Sequence, residues 1–183
     1  MSGVIGTSPN MNSGLVGTWP TGHVLQTQSM VSSLANGTST TEVPAANAGM
    51  VLGYVEIVPL QTGSIFILSA TWSCNFSRVA SYQCAQTWLG VQVSSGYSVG
   101  SSGAIFAWGL EKYEGAGQNG DDIYTAPAHT VRHVPSYTLG QTVSYEMRLG
   151  ANRGTGSVAY PTVMVRDNSN NPASQLIVQE IAG

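Results

Sequence analysis

Charge is what this chain has least of. Its 183 residues include six Lys and Arg and nine Asp and Glu, and Lys112 is the one lysine. A typical soluble domain is roughly a quarter charged; here Ser, Thr, Asn, Gln and 22 glycines supply the polarity. Straight-chain charged residues build the solvent faces of helices, whereas Thr, Val, Ile and aromatics suit pleated surfaces. The shortage argues against amphipathic helices and predicts an all-β protein with an uncharged, hydrogen-bonding skin.

Other shortages exclude whole classes of function. No apolar run approaches the ~18 residues of a membrane span, so no membrane insertion is expected. The N-terminus MSGVIGTSPNMNSG has neither a basic start nor an apolar block. It does not read as a signal peptide, and the expectation is synthesis and first folding in a cytoplasm. The net charge is −3 with the basic residues scattered, whereas phosphate-tracking proteins cluster Lys and Arg. Nucleic acid is not an expected partner. Phosphate-loop and dinucleotide fingerprints are missing, as is the G-x-S-x-G elbow.

Cysteine occurs twice, at Cys74 and Cys84. Ten residues apart with a turn between, the two could face each other across a hairpin centred near Val79, with two small buried hydrophobes as the competing reading. Cytoplasmic synthesis favours free thiols over a disulfide there, and two cysteines alone make no structural zinc site. Asn36-Gly37-Thr38 and Asn75-Phe76-Ser77 match the glycosylation sequon, which without a secretory signal carries no weight.

What is present divides the chain in two. Residues 1–22 carry no charge, two prolines and no sustained periodicity. Fully extended they reach on the order of 70 Å, and they bury too little to fold alone. A frayed terminus competes with a docking arm, and Ile5, Leu15, Val16 and Trp19 favour the arm by offering apolar anchors.

Residues 23–183 read as one domain. GHVLQTQSMV alternates, and a Gly/Ser/Thr/Asn-rich stretch follows as a long loop. YVEIV, IFILSATWSCNF, YQCAQTWLGVQV, AIFAWGLEKYE, VSYEMRLG, SVAYPTVMVRD and SQLIVQEIA are the clear strands. Trp88, Gly90 and Gln92 take one face and Leu89, Val91 and Val93 the other; Tyr145, Met147 and Leu149 oppose Glu146 and Arg148. Seven to nine strands without a helix imply an antiparallel β-sandwich, most simply a jelly roll.

Chemistry is sparse along the domain. His129 and His133 stand four apart between Pro127 and Pro135, which argues against a helix. On a strand they would share a face about 13 Å apart, too far to hold one metal; they read as loop or surface histidines, with an inter-subunit metal site left open. Glu111 and Glu114 flank Lys112 and Tyr113, with Asp121 and Asp122 following. Paired carboxylates suit glycoside hydrolysis, but nothing else builds an active site and a solvated loop accounts for them. The expectation is no enzyme, no cofactor and no metal. Tyr97, Tyr113, Tyr124 and Tyr137 fall in or beside turn-rich segments. With Asp121 and Asp122 they are the receptor-contact candidates, since aromatic rings and Asn, Asp and Gln build carbohydrate and protein contact surfaces. Capping of the sandwich edge competes with that role.

Two short motifs carry a resemblance. Pro20-Thr21-Gly22-His23-Val24-Leu25-Gln26, after the Gly/Pro-rich arm, and the closing strand Leu176-Ile177-Val178-Gln179-Glu180-Ile181-Ala182 resemble small bacteriophage virion proteins. The middle of the chain is similar to phage fibre-tip domains. The resemblance implies a trimeric jelly roll rather like a tumour-necrosis-factor head, serving as a tail fibre, head fibre or capsid decoration protein. Implied partners are further copies of the chain, another virion protein (capsid, tail or fibre anchor) and a host-surface glycan or protein. The implied location is the virion. The long shaft of an ordinary tail fibre is missing, which keeps a decoration or cement protein without host binding as the alternative.

Overall fold

The computed structural model describes residues 21–77, 83–111, 122–125, 128–153, 162–165 and 173–183. Among them every regular element is a strand: β1 (Val24–Val31), β2 (Ser39–Thr40), β3 (Met50–Ile57), β4 (Ile65–Thr71), β5 (Cys74–Ser77), β6 (Gln83–Ser94), β7 (Gly103–Glu111), β8 (Asp122–Thr125), β9 (Ala128–His133), β10 (Thr142–Arg153), β11 (Thr162–Val165) and β12 (Gln175–Ile181). They form three four-stranded sheets, β1-β12-β4-β9, β3-β10-β6-β7 and β2-β11-β5-β8, with antiparallel pairing throughout. The fold is an antiparallel β-sandwich of jelly-roll type.

The first two sheets enclose the core, and the side-chain period of two builds it. In β4 and β12 every second residue is buried: Phe66, Leu68 and Ala70 beside Leu176, Val178 and Glu180. Facing them are Val55 and Ile57 of β3, Leu89 of β6, and Val143, Tyr145, Met147 and Leu149 of β10. Burial of a large apolar side chain contributes roughly 1.5–3 kcal/mol, so this double row dominates the packing energy.

More strands are present than the alternation alone predicts. The run read as one strand, IFILSATWSCNF, breaks at Trp72 and Ser73, both buried. Its second half, β5, joins the third sheet, whose order repeats the first with each strand replaced by one adjacent to it in the chain, β2 and β5 following, β11 and β8 preceding. Ser174 spans the break: its Oγ accepts from Ser73 N–H at 3.1 Å, and its carbonyl accepts from Ser32 N–H at 2.7 Å. Tertiary packing, which a local pattern does not encode, decides where a long strand changes sheets.

Candidate functional site

Strand register gives the sandwich two distinct ends. At one, Thr142 stands opposite Ser94, Val143 opposite Ile57, and Ile181 opposite both Val24 and Ile65. Thr21–His23 enter here and are stitched to the last strand. Gly22 N–H donates to the Ala182 carbonyl at 2.8 Å, and Ala182 N–H donates to the His23 carbonyl at 2.8 Å. Beside them the buried Glu180 carboxylate gathers three donors. Ser64 Oγ donates at 2.6 Å, Leu60 N–H at 2.9 Å and Gln26 Nε2 at 2.6 Å. The first-strand motif and the closing-strand motif thus pair with each other, Gln26 from one and Glu180 from the other.

At the opposite end Gln83 stands across from Arg153, Cys84 from Glu111, and Ser77 from both Thr162 and Asp122. The twelve residues of β10 separate the two ends by about 36 Å.

The receptor-contact candidates divide between these ends. Tyr137 lies at the first, with its ring edge-on to Phe66 at 6.1 Å. Its hydroxyl donates to the Gln61 carbonyl at 2.6 Å and accepts from Ser64 N–H at 3.0 Å. Tyr97 lies between β6 and β7, its ring stacked on Tyr54 at 3.9 Å and its hydroxyl buried. Asp122 and Tyr124 belong to β8, opposite Ser77 and Asn75, so Asp122 opens a strand rather than sitting in a loop. Tyr113 and Asp121 lie outside the described residues, as do the arm residues Ile5, Leu15, Val16 and Trp19, and Glu114 with Lys112.

A cluster that the alternation of β10 hides lies on the outer face of the second sheet. Residues 143–150 are buried on both faces of β10. Glu146 and Arg148, which the sequence pattern points at solvent, are 0 % and 3 % exposed, and Glu146 Oε1 lies 2.6 Å from Arg148 Nη2. Residues 95–101 fold back over them. Tyr97 N–H donates to Glu56 Oε1 at 2.7 Å and Ser98 N–H to Gln92 Oε1 at 2.9 Å. Burial, then the adjacent Glu146 carboxylate, push the Tyr97 phenol pKa up, while Arg148 opposes them. Opposite Glu146 in the ladder stands Gly90, and the Trp88 indole lies across it: a Cβ there would come within 2.1 Å of the ring. Only the missing side chain gives the indole that seat.

The histidines are neither in a loop nor at the surface. Both stand on β9 and turn towards the core, partly buried. His129 stacks on Trp72 at 5.5 Å. His133 Nδ1 lies 3.1 Å from the Tyr145 hydroxyl, and burial lowers its pKa. An edge strand with one inward face buries alternate residues, which is what the bracketing prolines obscured in the sequence. Among the described residues no group of three or more His, Cys, Asp or Glu comes together as a metal site. The hairpin reading of the cysteines does not hold, because β5 and β6 belong to different sheets. Cys74 is a buried free thiol whose pKa burial pushes up to about 12.

No family model matches the chain, and no curated protein matches it. Among solved structures, Eiger, a tumour necrosis factor from S. frugiperda, is similar over 72 % of this chain and 66 % of its own, at 8 % identity and a TM-score of 0.38. The VP2 subviral particle of infectious bursal disease virus is similar over 86 % of this chain and 38 % of its own, at 8 % identity and a TM-score of 0.34. The T13 particle of the same virus aligns with 100 % of this chain and 40 % of its own, at 10 % identity and a TM-score of 0.29. The chain thus spans about two fifths of the viral chains and just under two thirds of Eiger.

Proposed function

We propose that this chain is a bacteriophage virion structural protein, a fibre or spike held to the particle by residues 1–22 and presenting its far end to a host-surface glycan or protein. The observation that carries this reading is the division between the two ends. Thr21–His23 join the sandwich at one, while the strands bounding residues 78–82, 112–121 and 154–161 end at the other. A protein anchored by its arm points that far end outwards. Deletion of residues 1–18 is the test: the sandwich stays folded, since its first strand begins at Val24, and incorporation into particles falls sharply. Wild-type incorporation of the truncated chain would overturn the anchoring role.

Self-association as a homotrimer belongs to the same reading. The outer face of the first sheet carries half-buried Ile65, Ile67, Ile177 and Ile181 among Ser, Thr and Gln, and Arg132 is its one charged side chain among the described residues. Depletion of charge at an apolar face is the mark of an interface core. Light scattering is expected to return about three times the 19.1 kDa chain mass; a stable monomer at micromolar concentration would count against it.

A decoration role without host binding is favoured by one observation. The hydroxyls of Tyr97 and Tyr137 are turned into the fold, which weakens two of the contact candidates. Binding of labelled protein to host cells separates the roles: a fibre binds, a cement protein does not.

A further inference from the structure

The outer face of the second sheet holds a charged pair that the sandwich does not need. Glu146 and Arg148 lie there almost fully buried, yet a buried ion pair often gives no more stability than well-packed apolar residues of similar volume. Its surroundings are also incompletely satisfied. Glu146 Oε2, Arg148 Nε, Ser144 Oγ and Ser102 Oγ are buried without a hydrogen-bond partner among the described residues. Each such atom works against folding unless something else meets it.

What covers the cluster is held through side chains. Residues 95–101 are tied down to the sheet through three side-chain acceptors, Glu56, Gln92 and Ser94, through the Tyr97 phenol against Glu146 and Arg148, and through the stacking of Tyr97 on Tyr54. Gly100, at a φ of 83°, turns the segment, and its exposed tip is Val99. Tyr54 remains 44 % exposed even under its partner ring.

We propose that residues 95–101 are a displaceable cover over a binding site for a neutral saccharide ring. With Tyr97 swung away, Tyr54 and the Trp88 indole offer apolar aromatic faces to the sugar's C–H groups. A carboxylate and a guanidinium 2.6 Å apart set acceptors beside donors, the arrangement that vicinal hydroxyls satisfy. Ser144 and Ser102 supply the further unpartnered hydroxyls. The pair carries no net charge, so it favours a neutral ring over an acidic one. This site stands apart from the virion reading and does not depend on it.

The test uses the full-length purified protein on a printed array of neutral and acidic glycans, with affinities for the bound glycan taken by calorimetry. Wild type is expected to bind neutral glycans, and Tyr97→Ala, which removes the cover's anchor, to bind them at least threefold more tightly, about 0.6 kcal/mol. Hydrogen exchange at the Tyr97 and Ser98 amides should be faster than along β10. The paired Glu146→Leu/Arg148→Met variant should lose about tenfold or more in affinity. Ser144→Ala, which deletes an unpartnered hydroxyl without opening a cavity of consequence, should also weaken binding should the paired variant fail to fold. The proposal is overturned if neither wild type nor Tyr97→Ala binds a neutral glycan, if only acidic glycans bind, or if affinity is unchanged in the folded cluster variants.

Discussion

Gln26 on the first strand and Glu180 on the last are joined by a 2.6 Å hydrogen bond, and the same Gln26 amide donates to the Val58 carbonyl at 2.7 Å. With Leu60 and Ser64 also donating to it, the Glu180 carboxylate ties β1, β12 and the β3–β4 connection into one knot. Glu180→Ala leaves those donors unmet and is expected to destabilise the protein by about 2–4 kcal/mol, with Glu180→Gln milder because an acceptor remains. Urea denaturation measures both; a loss under about 0.5 kcal/mol, the range of ordinary surface substitutions, for the alanine variant would deny the knot its structural role.

His133 gives the fold a pH dependence whose sign follows from its burial. Its folded-state pKa lies below the ordinary imidazole value of 6.5, so the unfolded chain takes up a proton first as pH falls. Stability contributed by neutral His133 is present above about pH 6.5 and is lost as pH drops through the folded value. Thermal melts between pH 7.5 and 5.5 should therefore slope downward on acidification, and His133→Gln should flatten that slope. An unchanged slope in the variant would assign the effect elsewhere.

Cys74 should be chemically silent in the native state. Its thiol is buried and its pKa is pushed up to about 12, which leaves little thiolate at neutral pH. A maleimide reagent followed by peptide mapping should label this residue only in denaturant. Rapid native labelling of Cys74 would contradict its burial.

Gly90→Ala should displace the Trp88 indole from its seat, because the new methyl group would stand within 2.1 Å of the ring. Overpacking of this kind costs about 1–3 kcal/mol. Denaturation together with a red shift in tryptophan emission would register both the strain and the indole's exposure; a variant as stable as wild type would mean that the ring relocates freely.

The fold class was legible because low charge and period-two alternation act residue by residue. Tyr145, Met147 and Leu149 face the core as their alternation requires. Their neighbours Glu146 and Arg148 were not readable, since their burial depends on residues 95–101, some fifty positions away, folding back across the sheet. The cysteines failed for a related reason. A ten-residue spacing suggests a hairpin, yet β5 and β6 leave the junction into separate sheets. The histidines came out half right: one strand face holds both, but only the fold supplies Trp72 and Tyr145 for them to lean on.

The pairing of β1 has a consequence for the order in which the protein folds. Its one sheet neighbour among the described residues is β12, so Gln26 must wait for a partner 154 positions later. On the ribosome β1 emerges long before β12 and stays an open strand edge until that partner is made. Contacts of such long sequence separation make folding slow, and an unpaired edge exposed for that time invites pairing with a neighbouring nascent chain.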